Sequence, residues 1–276
     1  MVEPIIQAEI TSALPPRQRD AHKGDFGRVL IVGSGVGMPG ATRLAGEACL
    51  RVGAGVVTVA VAPENVVSIA SGRPELICFP LGAADTLANL IARSDVVAIG
   101  PGLGKDAWAR AAFKMALKCT QALVLDADAL NLLAADKIPR ASAERNWILT
   151  PHPAEAGRLL DTSTQEIQRD RLAALDALVQ WYRCIVVLKG AGTLVGAPGK
   201  SPCICEHGNP GMATAGMGDV FTGTIAGILA QCGDSYIAAR VGVWVHAMAG
   251  DTAARSGERG LIASDVIAEL RQCVNL

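Results

Sequence analysis

Asp219 stands directly behind Gly216-Met217-Gly218 in the stretch GNPGMATAGMGDVFTG, and an apolar run, VFTGTIAGILAQ, begins immediately after it. That pattern opens a helix, and a helix start presents unpaired N–H groups carrying about half a positive charge. Amides at Gly216, Met217 and Gly218 can therefore hold a phosphate or a developing oxyanion. An acid in that first turn has two readings. It stabilises the helix dipole, a contribution of about 0.3–1 kcal/mol. Alternatively it is a general base that removes a hydroxyl proton while the amides steady a phosphoryl group.

Other polar residues sit where they could be its companions. In LKGAGTLVG a strand ends at Lys189, a tight turn Gly190-Ala191-Gly192 follows, and Thr193 starts a second strand. The backbone there can wrap a nucleotide, with a charge from Lys189 and a hydroxyl from Thr193; an ordinary hairpin with a surface lysine is the plainer account. In ILTPHPAEAGRLL, Pro151 and Pro153 set a rigid bend that holds His152 at a strand's end, and Thr150 reads as a helix cap. Asp126 and Asp128 also lie at a strand end, as a metal pair or with Asp128 capping the helix ALNLLAA.

Two glycine-rich loops complete the set. Gly35-Val36-Gly37-Met38-Pro39-Gly40 matches the dinucleotide fingerprint between a strand and a helix. The acid that fingerprint requires about 20 residues on is missing, since only Glu64 is offered, beyond a proline. No P-loop fits either, because Ala41-Thr42 follows Gly40. What remains is close backbone approach to a ligand at Gly35, Gly37 and Gly40. GPGLGKD (100–106) offers the same service, and two such loops on one edge imply a broad, flat substrate.

The elements that must position these residues are strand-like runs at 28–33, 56–62, 95–100, 122–127, 147–150 and 184–190, separated by Ala-rich helical stretches. Nearly continuous Val/Ile/Leu strands imply burial on both faces and a parallel α/β sheet. Its ligand loops then lie at the carboxyl ends of the strands. TLVGAP and PCICEHG predict a hairpin through Gly199 to Pro202, and the chain reads as helical from residue 217 onward. One domain over 1–276 is expected. The chain has 276 residues and a net charge of −1. No charge excess points to nucleic acid or an acidic membrane. No apolar run predicts a transmembrane helix, and no basic, apolar start predicts a signal peptide. A cytoplasmic location is the expectation. Eight cysteines without a CxxC pair argue for buried thiols rather than a zinc or redox site, with Cys203 and Cys205 on one face of a strand.

Six motifs in order, HKGDFGRVLIVGS (22–34), GPGLG (100–104), LDADALN (125–131), TPHPAE (150–155), KGAGT (189–193) and GNPGMATAGMGDVFTG (208–223), resemble the ADP-dependent NAD(P)H-hydrate dehydratases. These are a branch of the ribokinase-like superfamily, and the likeness runs from about residue 20 to 270. It implies a single-domain ribokinase-like sandwich, with a mostly parallel central sheet flanked by helices. It implies repair of NADHX and NADPHX, hydrated nicotinamides whose ring hydroxyl is phosphorylated from ADP and then expelled as phosphate. Asp219 would be the base, and Gly216, Met217 and Gly218 the anion hole. Lys189, Gly190, Ala191, Gly192, Thr193 and Gly218 would hold the nucleotide; Ala41, Gly104, His152 and Asp219 would contact the hydrate. Where ribokinase-like kinases commonly carry Asn-x-x-Glu, this chain has His152-Pro-Ala-Glu155, so Glu155 could still serve a water-bound Mg²⁺. A homotetramer and a functional partnership with NAD(P)H-hydrate epimerase are further implications. A kinase of a vitamin alcohol or sugar shares the anion hole and base. A non-catalytic nucleotide sensor and a Rossmann dehydrogenase are the remaining classes.

Overall fold

The structure is a computed structural model that describes every residue except Met1, Ala83, Pro139 and Leu276. Ten strands form one sheet: β1 (Glu3–Pro4), β2 (Arg28–Val32), β3 (Val56–Val61), β4 (Ile77–Pro80), β5 (Val96–Ile99), β6 (Ala122–Leu125), β7 (Trp147–Leu149), β8 (Ile185–Leu188), β9 (Thr193–Gly196) and β10 (Cys203–Cys205). Their order across the sheet is β1-β10-β9-β8-β7-β6-β5-β2-β3-β4. All pairings from β8 to β4 are parallel, and only β9 runs against its neighbours. The hairpin expected at 199–202 joins β9 and β10. The short strands β1 and β4 escape sequence reading: β1 is only two residues long, and the apolar run of β4 ends in Pro80; β4 is largely exposed and lies at the sheet's edge.

Among the described residues twelve α-helices accompany the sheet: α1 (Ala8–Ala13), α2 (Pro39–Arg51), α3 (Val66–Gly72), α4 (Ala84–Ala92), α5 (Ala107–Ala116), α6 (Ala127–Ala135), α7 (Pro153–Leu159), α8 (Thr164–Arg169), α9 (Arg171–Tyr182), α10 (Met217–Cys232), α11 (Ser235–Ala253) and α12 (Ala263–Cys273). Alternate residues of each parallel strand feed two separate cores. Val29, Ile31, Val96, Ala98 and Val124 pack with α2, α10, α11 and α12. Leu30, Val32, Val97, Ile99, Leu123 and Leu125 pack with helices from the α4–α9 stretch. A period of two with both faces apolar explains why these strands read as unbroken Val/Ile/Leu runs. Cys203 and Cys205 both enter the first core, and all eight thiols are free. Among the described residues no helix is long and apolar enough to cross a membrane.

Strand order reverses between β2 and β5: from β2 the chain moves to β3 on one side, and β5 lies on the other. The crevice outside the carboxyl ends of two such strands is where open α/β sheets bind ligands. Both glycine-rich loops leave from those two strands. Over the sheet, α10 lies against α2 with almost no space between backbones. A Cβ added at Gly223 would sit 1.9 Å from the Ala45 carbonyl oxygen, and one at Gly227 would sit 2.8 Å from that of Cys49. This contact fixes where α10 starts relative to the loop after β2.

Gly223→Ala should accordingly destabilise the fold by about 1–3 kcal/mol, read as a lower urea midpoint. Gly40→Ala, in the first turn of α2 with nothing within 4 Å of the added Cβ, should leave the midpoint unchanged or raise it slightly.

Candidate active site

The centre of the site is Asp126, which follows β6 and is only 1% exposed. Its Oδ1 accepts from Lys189 Nζ at 2.6 Å and from Thr150 Oγ1 at 2.7 Å, and its Oδ2 accepts from Thr222 Oγ1 at 2.9 Å. The donors come from the ends of β8 and β7 and from α10, so one carboxylate ties four elements together. Burial alone would lower the Lys189 ammonium, but Asp126 and Glu155 outweigh it and hold the group above its ordinary value. Lys189 Nζ also lies 3.9 Å from Glu155 Oε2. The ammonium expected to face a nucleotide thus points inward, at a carboxylate. Sequence reading weighed Asp126 as a metal ligand and Thr150 as a helix cap. The structure corrects the second: Thr150 donates to Asp126, and His152 caps α7 instead.

Asp219 lies in the first turn of α10. The helix starts at Gly216, whose φ of 89° lies in the left-handed region, and where a Cβ would fall 2.7 Å from Leu44 Cδ1. No side chain caps this helix, and no described backbone acceptor outside it takes the N–H groups of Gly216, Met217 or Gly218. Free amides at a helix start are suited to an anion. The Asp219 carboxyl is pushed up to about 7 by burial first and then by the negative charge of Asp126, opposed by Lys189, with Asp128 adding to the rise. Behind the turn stands His246 of α11, packed edge-on against Phe221 at 5.0 Å. Burial holds its imidazole down at about 4, and hence neutral.

Across from α10 the two glycine-rich loops are stitched together. Ser34 N–H donates to the Pro101 carbonyl at 2.9 Å, and Gly35 N–H to that of Gly102 at 2.7 Å. Gly35 is therefore a packing glycine, since its Cβ would meet the Leu103 carbonyl at 2.8 Å; only Gly37 and Gly40 face open space. Close approach of a ligand is possible at two of the three expected positions. Ala41 abuts Gly102, and Gly104 N–H donates to Asp128 Oδ2 at 2.9 Å. Asp128 anchors this loop rather than capping α6, whose cap position is Asp126.

The turn from Lys189 to Thr193 closes through Thr193 Oγ1, which donates to the Gly190 carbonyl at 2.9 Å. His152 Nδ1 accepts from the N–H groups of Ala154 and Glu155, and Glu155 Oε2 accepts from the His152 N–H at 2.8 Å. The ring is half-exposed and held below its usual value by burial, Lys189 and Arg158, so it is neutral and can accept those bonds. Glu155 is buried and pushed up to about 7, chiefly by burial. No group of three or more described His, Cys, Asp or Glu side chains is placed to hold a metal ion. Asp126 already accepts three hydrogen bonds.

Sequence reasoning missed three supports. Thr222 lies inside the quoted motif, where a hydroxyl on an apolar helix is its only signal. Asn65, next to the discounted Glu64, is buried and donates both amide protons to the loop, to the carbonyls of Ser34 at 2.8 Å and Gly35 at 2.9 Å. Ser34 itself is buried with φ 46°, a backbone conformation stored at a site held from several sides.

Comparison with known proteins places this geometry. Residues 29–272 match the family model described as NAD(P)H-hydrate dehydratase. The bifunctional NAD(P)H-hydrate repair enzyme of Coxiella burnetii is 50% identical over 263 residues, covering 95% of this chain and 53% of the relative. The ADP-dependent (S)-NAD(P)H-hydrate dehydratase of Neisseria meningitidis is 40% identical over 259 residues, covering 91% and 86%. The structure of a Bacillus subtilis ADP/ATP-dependent NAD(P)H-hydrate dehydratase, crystallised with ATP and Mg²⁺, superposes with a TM-score of 0.88 at 27% identity, covering 99% and 97%. This chain spans about half the length of several bifunctional relatives.

Two outcomes follow from the charges. Folding lifts Asp219 from its ordinary 3.8 to about 7, so the folded state binds more protons between those values and loses stability as pH rises through them. Asp219→Asn removes that cost and should raise the melting temperature at pH 8 more than at pH 4. Lys189→Ala, in contrast, leaves Asp126 buried without its counter-charge and should cost about 3–5 kcal/mol in chemical denaturation.

Proposed function

The chain belongs to the NAD(P)H-hydrate dehydratase family, and from that premise we propose that it restores NADH and NADPH from (S)-NADHX and (S)-NADPHX, using ADP and releasing AMP and phosphate. The observation that carries this reading is Asp219. Its carboxyl, pushed up to about 7, stands at a helix start with free amides and feels the charge of Asp128, which anchors the second glycine-rich loop through Gly104. A base with a pKa near the working pH combines a useful ionised fraction with driving force for proton transfer.

The chemistry divides between chain and substrate. Hydroxide is a poor leaving group from the hydrated ring, whereas phosphate is a good one. Asp219 takes the proton of the ring hydroxyl as that oxygen attacks the terminal phosphorus of ADP, and AMP departs. The amides of Gly216, Met217 and Gly218 stabilise the charge building on the transferred phosphoryl oxygens. The ring nitrogen's lone pair then expels phosphate, and loss of a proton from the adjacent ring carbon rebuilds the double bond. Lys189 to Thr193, with Gly218, hold the nucleotide through backbone. Ala41, Gly104 and His152 line the hydrate. Glu155 would hold Mg²⁺ through water, and the ion would supply charge neutralisation on the phosphates.

The proposal carries its setting with it: a cytoplasmic homotetramer, working beside an epimerase that interconverts the two hydrate forms. The bifunctional relatives, about twice this chain's length, support the epimerase pairing. Neither nucleic acid nor membrane has a part in it.

One assay separates the readings. With NADHX, Mg²⁺ and ADP, reduced-nicotinamide absorbance should return with one AMP and one phosphate per NADH. Asp219→Asn should slow this by about 10²–10⁴-fold, and the wild-type rate should fall off on the acid side of about pH 7. Recovery of NADH without any nucleotide would remove the phosphorylation step and the role given to Asp219. No recovery with ADP or ATP would turn the reading towards a kinase of another alcohol.

A further inference from the structure

The turn from Lys189 to Thr193 is held from beneath by Arg171, the first residue of α9. Its Nη1 donates to the Ala191 carbonyl, and its Nη2 donates to the carbonyls of Leu188 at 3.0 Å and Lys189 at 3.3 Å. A planar guanidinium spreads its donors over separate nitrogens in a fixed fork, so Nη1 and Nη2 reach carbonyls at different points of the turn, whereas an ammonium offers its donors from a single atom. Peptide planarity then dictates the other side of the turn. Turning the Lys189 and Ala191 carbonyls down onto Arg171 turns the N–H groups of Gly190 and Gly192, which share those peptide planes, the opposite way. Positive φ values at both glycines, 142° and 64°, let the chain reverse as it does so.

Two facts point to a ligand. Among the described residues no backbone acceptor takes the N–H of Gly190, Ala191 or Gly192. Nor does any described carboxylate pair with Arg171: its donors go to backbone carbonyls, and its Nε has no partner. A half-buried cation with no counter-ion, under a row of free amides, makes a place for an anion.

We propose that Arg171 is a positioning residue for the nucleotide, turning the amides of Gly190 and Gly192 outward to bind phosphoryl oxygens of ADP and placing its charge behind them. The proposal rests on the reading of ADP as co-substrate. Lys189, in the same turn, is spent on Asp126, so Arg171 supplies the positive charge that the sequence assigned to Lys189.

The test is calorimetric titration of ADP with Mg²⁺ into wild type, Arg171→Ala and Arg171→Lys, followed by steady-state kinetics with NADHX. Arg171→Ala should weaken ADP about tenfold or more, in Kd and in KM, since charged hydrogen bonds of this kind each count for more than neutral ones. The KM for the hydrate should stay within about twofold, a split that general loss of structure would not give. Arg171→Lys should recover only a minor part of the loss, because donors on one nitrogen cannot reproduce the separated positions of Nη1 and Nη2 along the turn. Equal weakening of both substrates, ADP affinity within about twofold of wild type, or full rescue by lysine would each overturn the positioning role. If Arg171→Ala does not fold, the lysine variant decides by the same ADP-to-hydrate split. ADP binding without hydrate turnover in wild type would sink the dehydratase reading alone, leaving the Kd comparison to judge Arg171. Absence of ADP binding in wild type would sink both.

Discussion

One buried carboxylate holds the site together. Asp126 accepts from a lysine and two threonines that arrive from β7, β8 and α10, and each of its donors is near a proposed catalytic or binding segment. Breaking such a pair is costly because the remaining charge stays buried, whereas keeping it adds little net stability. Its value here is placement. Thr150 fixes the bend that carries His152 and Glu155, Lys189 fixes the start of the Lys189–Thr193 turn, and Thr222 fixes α10 one turn past Asp219. Where a Cβ at Gly218 would lie, Asp126 Oδ2 is 3.6 Å away and Lys189 Nζ 3.8 Å. The absent side chain at Gly218 leaves the amide row clear above the ion pair.

The same arrangement sets the electrostatics. Three carboxyls, Asp126, Glu155 and Asp219, share one ammonium in a poorly solvated space. Asp126 takes the short contact with Lys189, and the other two are both pushed up to about 7. Burial is the first cause for both, so an acid limb near neutrality draws on Glu155 as well as on Asp219. An acid placed merely to support the helix dipole would gain from its position. Asp219 is instead held in a poorly solvated place beside other negative charge, which favours the base reading over the dipole reading.

Sequence reading went furthest where one local pattern determined one structure. Six strands came from apolar runs, the hairpin from Gly199 to Pro202, and the α10 start from Gly-Met-Gly-Asp. It reached less far where a side chain's partner is distant in sequence. Lys189 reads as a surface lysine or a phosphate ligand because Asp126 is 63 residues away; Thr150 reads as a cap because Asp126 is invisible from TPHP. Asn65 and Arg171 give almost no signal, since each acts on backbone carbonyls of a loop elsewhere. Gly35 reads as open because the sequence does not show that the loop after β5 lies on it. The strands β1 and β4 are short and exposed, and only pairing defines them.

The fold itself explains how two glycine-rich loops come together without a dinucleotide fingerprint acid. At the reversal between β2 and β5 the loops diverge from neighbouring strands, and their backbones bond directly to each other. Side chains at Gly33 or Gly100 would forbid this: an added Cβ would lie 2.0 Å from the Pro101 carbonyl oxygen or 1.8 Å from that of Asp126. The glycines at 33, 35 and 100 are thus used in joining the loops to each other and to the Asp126 centre. Those at 37 and 40 remain for the ligand. On the opposite wall, the close contact of α10 with α2 sets the distance between this seam and the amides at 216–218. Under the proposed reaction, a substrate whose hydroxyl reaches Asp219 lies along the glycine seam, with its nucleotide donor over the Lys189–Thr193 turn. A long, flat molecule suits that proposed arrangement better than a compact sugar.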